Sequence, residues 1–401
     1  MWRRVDIRNY RSIEHARVVL APFTVVVGPN GSGKSNFVDA LVFAREISED
    51  AQAAVLNRGG IERIQRWGAA GTERTSIEIV GAADSGSFES QYIRHSFDLA
   101  FNRNAWAFDR EVVEQKDDPS GSTRLQREGT NWRLRSSGKD ELYPLGVSRE
   151  TDHMSLLSVI RRLGMPPSMR RDLPREPEVT PTIESFDLIC RFRINPDEMR
   201  QPRPVGSPLL TETGANIASA VRSLGSNPRL LAPMQRIVPG LTEISTDEIG
   251  GYIALAFKQA QPSGEDARFN ATQLSDGALR ALGIIVAVEQ MLPGELIIIE
   301  EPEASIHPGA ANVLFDVLKD ASEKGGVLIT THSPELLSAA RDEEILVCEL
   351  RDGATHIGPL AQAQREAVRE GLFSVAELMR AEPLRIDGRP PATIDPATVH
   401  P

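Results

Sequence analysis

Cysteine is nearly missing from this 401-residue sequence, which has Cys190 and Cys348 alone. Two thiols build no disulfide framework, so a reducing, cytoplasmic home is expected. Long apolar runs are missing too. None approaches the roughly 20 residues that a bilayer span requires, so no membrane association is expected. The opening Met1-Trp2-Arg3-Arg4-Val5-Asp6 runs straight into alternating strand-like sequence, and no signal peptide is expected there. Internal repeats and sustained heptads are lacking, which argues against solenoids and coiled-coil rods. Basic excess is lacking as well: 45 Lys+Arg face 56 Asp+Glu, a formal charge of −11. An acidic balance argues against a constitutive nucleic-acid binder. The argument is regional, however. Residues 294–350 hold twelve acids and three bases, so most of the acidity sits in one segment and DNA stays open elsewhere.

What is present is an ordinary globular composition, 40% hydrophobic and 25% charged. The length suits two or three structural units at about 150 residues each. Apolar or alternating runs at 5–7, 17–20 and 23–27 read as strands. The last ends in a glycine-rich turn, and a helix follows over 33–47 with Phe37, Leu41 and Ala44 on one face. Short alternating runs over 75–136 suggest an antiparallel sheet. Residues 150–205 are rich in proline and arginine and read as an insertion, with a helix over 155–163 and a strand over 186–194. Helices are expected over 214–224, 279–292 and 309–322, and strands over 242–245, 252–257, 296–299 and 326–330. The strand–helix–strand order near the end implies a parallel sheet with right-handed crossovers. The proline-rich tail, 383–401, is expected to be poorly ordered.

The chemistry concentrates in a few places. Gly28-Pro29-Asn30-Gly31-Ser32-Gly33-Lys34-Ser35 fits G-x-x-x-x-G-K-[ST], between a strand and a helix. Glycines let successive N–H groups face a phosphate, Lys34 would reach the β- and γ-phosphates, and Ser35 would ligate Mg²⁺. The bland alternative is a glycine-rich turn with no ligand. Leu296-Ile297-Ile298-Ile299-Glu300-Glu301 is a buried strand ending in paired acids, at the sheet edge where ligands bind. One acid would hold hydrated magnesium and the next would orient water, unless the strand simply ends in solvated charge. Leu274-Ser275-Asp276-Gly277-Ala278-Leu279-Arg280 opens an apolar helix; it either caps that helix and no more, or receives an anion. Thr330-Thr331-His332-Ser333-Pro334 follows the next buried strand. There His332 is either structural or a sensor of a γ-phosphate.

These motifs in this order resemble the ABC-type ATPase heads of the RecF, SMC and OLD group, often labelled AAA-family ATPases. Ile7-Arg8-Asn9-Tyr10-Arg11-Ser12-Ile13 looks like that group's N-F-R-S start. Glu301-Pro302-Glu303 followed by Ile306-His307-Pro308 is similar to E-E-P-E…L-H-P, and Gly214-Ala215-Asn216-Ile217-Ala218 to G-x-N-L-A. The resemblance covers roughly 1–80 and 206–380. It implies an α/β P-loop NTPase: a two-lobed head with an antiparallel β subdomain and an inserted α/β segment. The divisions would be lobe I at 1–100, sheet continuation and insertion at 101–205, lobe II at 206–382 and a tail at 383–401. It further implies a composite site between two copies. Gly28, Pro29, Asn30, Gly31, Ser32, Gly33, Lys34, Ser35 and Asn36 would hold ATP, and Ser275, Asp276 and Gly277 of a second copy would close over it. Ser35 and Glu300 would hold Mg²⁺, with Gln65 completing the metal shell. Glu301 would be the base or water-positioning residue, His332 the switch histidine and Lys34 a catalytic cation, while Arg11 would lie near the nucleotide. The acid before the base is usually Asp in such heads, whereas Glu300 is one methylene longer.

Two functions follow from the resemblance. One is an ATPase that dimerises on ATP and drives DNA or a partner protein, in antiphage defence or DNA repair. The other is an ATP-dependent scaffold or regulator of a neighbouring nuclease or toxin, with little hydrolysis of its own. A P-loop kinase would need neither Leu274-Ser275-Asp276-Gly277 nor His332. With only about 40 residues after the last sheet, an OLD-type nuclease activity is not expected of this sequence. Arginines between 161 and 203 are either phosphate contacts or a solvated surface.

Overall fold

A computed structural model describes residues 2–68, 73–82, 92–102, 105–117, 121–128, 131–136, 139–144, 153–158, 188–262, 264–337 and 340–387. The chain opens with an antiparallel pair, β1 (Trp2–Tyr10) and β2 (Ile13–Val19), and continues to the fully buried β3 (Phe23–Val27). The glycine-rich turn leads into α1 (Lys34–Leu56), which outlasts the expected end at 47. A kink at Asp50 (φ −154°) explains the extension: its carboxylate accepts from Ala53 N at 3.0 Å and caps a second helical stretch.

The alternating region is the antiparallel meander expected from its pattern. It comprises β4 (Thr75–Ala82), β5 (Tyr92–Asn102), β6 (Ala105–Asp117), β7 (Gly121–Glu128) and β8 (Asn131–Ser136). β9 (Lys139–Pro144) carries it past the expected boundary. Residues 159–187 lie outside the described residues, and with them most of the helix expected over 155–163 and the start of the strand over 186–194. The rest of that strand is β10 (Ile189–Phe192).

A short α2 (Pro196–Met199) and β11 (Arg203–Pro204) come next, then α3 (Ile217–Leu224) and α4 (Pro228–Ile237). β12 (Leu241–Ile249), β13 (Tyr252–Ala260) and β14 (Asp266–Asn270) form a small antiparallel sheet with β11. The second half continues as α5 (Asp276–Glu289), β15 (Leu296–Glu300), α6 (Pro308–Ala321) and β16 (Gly326–Thr331). It closes with β17 (Ile345–Arg351), β18 (Ala354–Pro359), α7 (Gln362–Arg369) and α8 (Val375–Ala381). The tail expected from 383 is described only to 387.

The described strands of the main sheet run in the order β10-β15-β16-β3-β17-β18-β2-β1-β4-β5-β6-β7-β8-β9. β10, β15, β16, β3 and β17 are parallel, as the crossover order implies. Their apolar runs are continuous because both faces are covered, and alternate residues serve the two sides. Val26, Ile298 and Leu328 join the core around α1. Val25, Val27, Ile297, Ile299 and Ile329 join the core around α5 and α6. Among the described residues no helix is long and apolar enough to cross a membrane.

Candidate functional site

Because β3, β16 and β15 are parallel neighbours, the loops leaving their C-terminal ends converge. The first is the glycine-rich turn after β3. Gly33 has φ 106°, and a Cβ there would lie 2.1 Å from Thr355 Oγ1, so conformation and space both require glycine. Polar groups support the turn from beneath. Asn36 Nδ2 donates to Ser12 Oγ (2.6 Å), the Ser12 and Thr355 hydroxyls pair (2.7 Å), and Thr355 Oγ1 donates to the Ser32 carbonyl (2.8 Å). Cys348 Sγ donates to the same carbonyl at 3.3 Å, and burial pushes its pKa up to about 11.

Gly33 caps α1 with no side-chain bond, and the first turn of α1 carries no acid, so the positive helix end stays uncompensated. Ser32 Oγ is buried without a hydrogen-bond partner among the described residues. Uncapped N–H groups and an orphaned hydroxyl form a donor set that suits a phosphate. Lys34 Nζ donates to the carbonyls of Gly28 (2.7 Å) and Pro29 (3.1 Å), and burial lowers its pKa.

The acids stand opposite. Ser35 Oγ donates to Glu300 Oε2 at 3.0 Å, while Glu300 Oε1 accepts from Arg193 Nε at 2.6 Å. Glu301 turns out of the strand in a left-handed conformation (φ 47°), a strained backbone of the kind that clusters at functional sites. Its Oε1 lies 3.3 Å from His332 Nδ1. A third acid, Glu303, accepts from Thr331 Oγ1; its other oxygen is buried without a hydrogen-bond partner among the described residues, and burial raises its pKa. The Ser35 hydroxyl and Glu300 carboxylate are hard oxygen donors that fit Mg²⁺, an ion that keeps several waters and needs no all-protein cage. Among the described residues no group of three or more His, Cys, Asp or Glu is placed to hold a metal.

A family model described as "AAA domain, putative AbiEii toxin, Type IV TA system" matches residues 23–338, from the first residue of β3 to beyond β16. The chain belongs to this AAA family. Its strand–glycine loop–helix start and the acid-ended parallel strand beside it give it a P-loop NTPase fold of the expected α/β class. An Smc head solved with the C-winged helix domain of ScpA is similar at 14% identity, over 90% of this chain and 99% of that one, with a TM-score of 0.49. The SMC head domain from Thermotoga maritima is 15% identical over 90% and 99% of the two chains, with a TM-score of 0.47. A Pyrococcus furiosus Smc head with an extended coiled coil, bound to the C-terminal domain of ScpA, is 12% identical over 92% and 99%, at 0.45. No curated protein matches the sequence.

In this AAA domain the remaining site residues are spread more widely. Ser275 caps α5, its Oγ accepting from Ala278 N at 3.3 Å, and Asp276 pairs with Arg200. Gly277 lies against the loop after β15; a Cβ there would be 2.4 Å from the Ser305 carbonyl oxygen. Ser275 and Gly277 line a groove of about 610 Å³ with Phe269, Ser305, Ile306 and His307, and no residue of 28–35 takes part in it. Gln65 donates from Nε2 to the Glu73 carbonyl at 3.2 Å, and no hydrogen bond joins it to Ser35 or Glu300. Arg11 lies 3.1 Å from Asp39 on α1, in a cluster with Tyr10 and Arg58.

Besides Ser35, Arg193 also bonds Glu300 from outside the acid-ended strand, and the sequence presents it only as one of the arginines between 161 and 203. Thr355 lies in no motif of the sequence. Ser12 belongs to the Ile7–Ile13 segment, and its position beneath the turn gives it a supporting contact. Other arginines of the insertion are engaged as well. Arg191 Nε donates to Glu212 (2.7 Å), and Arg200 bonds Asp197 (3.0 Å) and Asp276.

Proposed function

We propose that this chain is a Mg²⁺-dependent ATPase head that pairs with a second copy of itself across bound nucleotide. The observation that carries the reading is the convergence of Ser35 on Glu300, with Glu301 and His332 in contact beside them. Bound MgATP supplies a transferable γ-phosphoryl group. Residues 28–36 would cradle its phosphates, with Lys34 exchanging its loop carbonyls for phosphate oxygens. Ser35 and Glu300 would hold the metal. Glu301 would orient the attacking water, and His332 would fix the Glu301 carboxylate. Ser275 and Gly277 face a groove apart from their own phosphate loop, which supports their serving the nucleotide of a second copy. Nucleotide bound between two copies would favour the closed pair and couple occupancy to assembly.

The Glu301→Gln variant tests this. Turnover should fall at least about a hundredfold, while ATP-dependent dimerisation, read by light scattering, persists. Unchanged turnover would sink the assignment.

The second reading is a nucleotide-dependent scaffold or regulator acting on a toxin or nuclease, with slow hydrolysis. Two contacts favour it: Lys34 is bound to its own loop, and Arg193 holds Glu300. Both must rearrange before turnover. The family's description names a toxin system, which fits antiphage defence better than repair. The ion-paired Arg191, Arg193 and Arg200 lend DNA little support. A steady-state ATPase assay with and without DNA separates the two readings.

A further inference from the structure

Glu300 uses both of its oxygens, and one of them is held by a cation that no motif announces. Among the described strands β10 stands at the edge beside β15, parallel to it and in register from Ile189↔Leu296 to Phe192↔Ile299. The next residues, Arg193 and Glu300, therefore leave the sheet side by side. Arg193 is tethered there, since its backbone N–H donates to the Glu212 carbonyl at 2.8 Å. Its Nε meets Glu300 Oε1 at 2.6 Å, with the arginine side chain 48% exposed and the glutamate 12%.

A carboxylate this sheltered needs a counter-charge. Lys34 does not supply it, being bound to the carbonyls of Gly28 and Pro29. Nor are the other nearby acids short of a cation: Arg191 bonds Glu212 at 2.7 Å and lies 3.9 Å from Asp39. Among the described residues Arg193 is thus the cation paired with Glu300, on a long stem with half its surface in water. A divalent ion drawing on Glu300 would place two positive charges on one carboxylate, and in so confined a site the guanidinium is the one free to swing away.

We propose that Arg193 and the divalent metal are competing ligands of Glu300, so that metal entry releases the arginine toward the anionic nucleotide. This rests on the assignment of Glu300 as the metal-binding acid. It makes Arg193 a positioning residue that sets how tightly metal binds.

The test measures Mn²⁺ binding to the full chain with a non-hydrolysable ATP analogue, from the electron paramagnetic resonance signal of free Mn²⁺. Arg193→Gln should tighten Mn²⁺ binding about fivefold, the scale of a partly exposed ion pair. Arg193→Lys, which keeps a charge but loses the fork, should shift it the same way by less, and it serves if the glutamine variant fails to fold. Unchanged or weaker Mn²⁺ binding in a folded variant overturns the proposal. Glu300→Gln separates the two assignments. If it leaves Mn²⁺ affinity intact, Glu300 is not the metal acid; if it weakens binding while both Arg193 variants do nothing, only the competition fails.

Discussion

Ser35 and Glu300, 265 positions apart in the chain, are joined by a 3.0 Å hydrogen bond from hydroxyl to carboxylate. The bond exists because β3 and β15 flank β16 in parallel, so the first turn of α1 and the end of β15 open on the same edge. Each side chain contributes one oxygen to a single point.

Ser35→Ala should therefore damage metal use and spare the fold. Ser35 is exposed, so the melting temperature should scarcely move. Calorimetric titration with ATP in Mg²⁺ and in EDTA should show the Mg²⁺-dependent gain in affinity shrinking at least about tenfold, or 1.4 kcal/mol. A full Mg²⁺ gain in the variant would remove Ser35 from the metal site.

His332 Nδ1 lies 3.3 Å from Glu301 Oε1, and both side chains are close to half exposed. Removing the imidazole costs little packing, so His332→Ala should change stability by no more than about 0.5 kcal/mol. Turnover should fall roughly a hundredfold, because the carboxylate loses the partner that fixes its direction. Equal losses in nucleotide affinity and turnover would mean that His332 serves binding instead.

Asp39 makes a prediction about pH. It accepts from Arg58 Nε and Nη2 at 3.0 Å each and from the Tyr10 hydroxyl, with Arg11 at 3.1 Å. Burial by itself would raise its pKa, but the bonds from Arg58 and Tyr10 prevail and hold it below the ordinary 3.8. A depressed carboxylate stabilises the fold above its unfolded pKa, and that contribution is lost as pH falls through the folded value. Asp39→Asn should cost roughly 1–3 kcal/mol at neutral pH, since it leaves the buried Arg58 with Glu46 as its remaining carboxylate partner. Urea melts should show the two proteins converging below about pH 4. Curves that stay parallel would refute the role of the charge.

Sequence pattern reaches as far as local signals do. The runs of β3 and β15, the glycine spacing of 28–33 and the acids after Ile299 were legible because each is contiguous. Thr355 and Arg193 were not, because sheet order alone brings β18 under the turn and β10 beside β15. β17, β18, α7 and α8 carry no motif and went unassigned, although Ser374 and Glu377 form a capping box at the start of α8. Gln65 was assigned to the metal from resemblance alone, and its side chain is bonded to the Glu73 carbonyl.

Gly277 separates packing from function at the start of α5. An alanine in a helix ordinarily gains up to about 1 kcal/mol over glycine. Here the new Cβ would stand 2.4 Å from the Ser305 carbonyl oxygen and 3.1 Å from Ile306 Cα, and both are backbone atoms that cannot rotate aside. The loop must shift, and Ser305 already sits at φ 64° with Glu301 at φ 47° a few residues earlier. Gly277→Ala should therefore destabilise by roughly 1–3 kcal/mol despite its helix propensity, and turnover should fall because the displaced loop carries Glu301. Asp276→Asn, one residue away, breaks only an exposed pair with Arg200 and should leave the melting temperature within a degree or so. If Gly277→Ala melts like the parent and loses only ATP-dependent dimerisation, the glycine is there for a second copy's nucleotide and the contact with Ser305 is incidental.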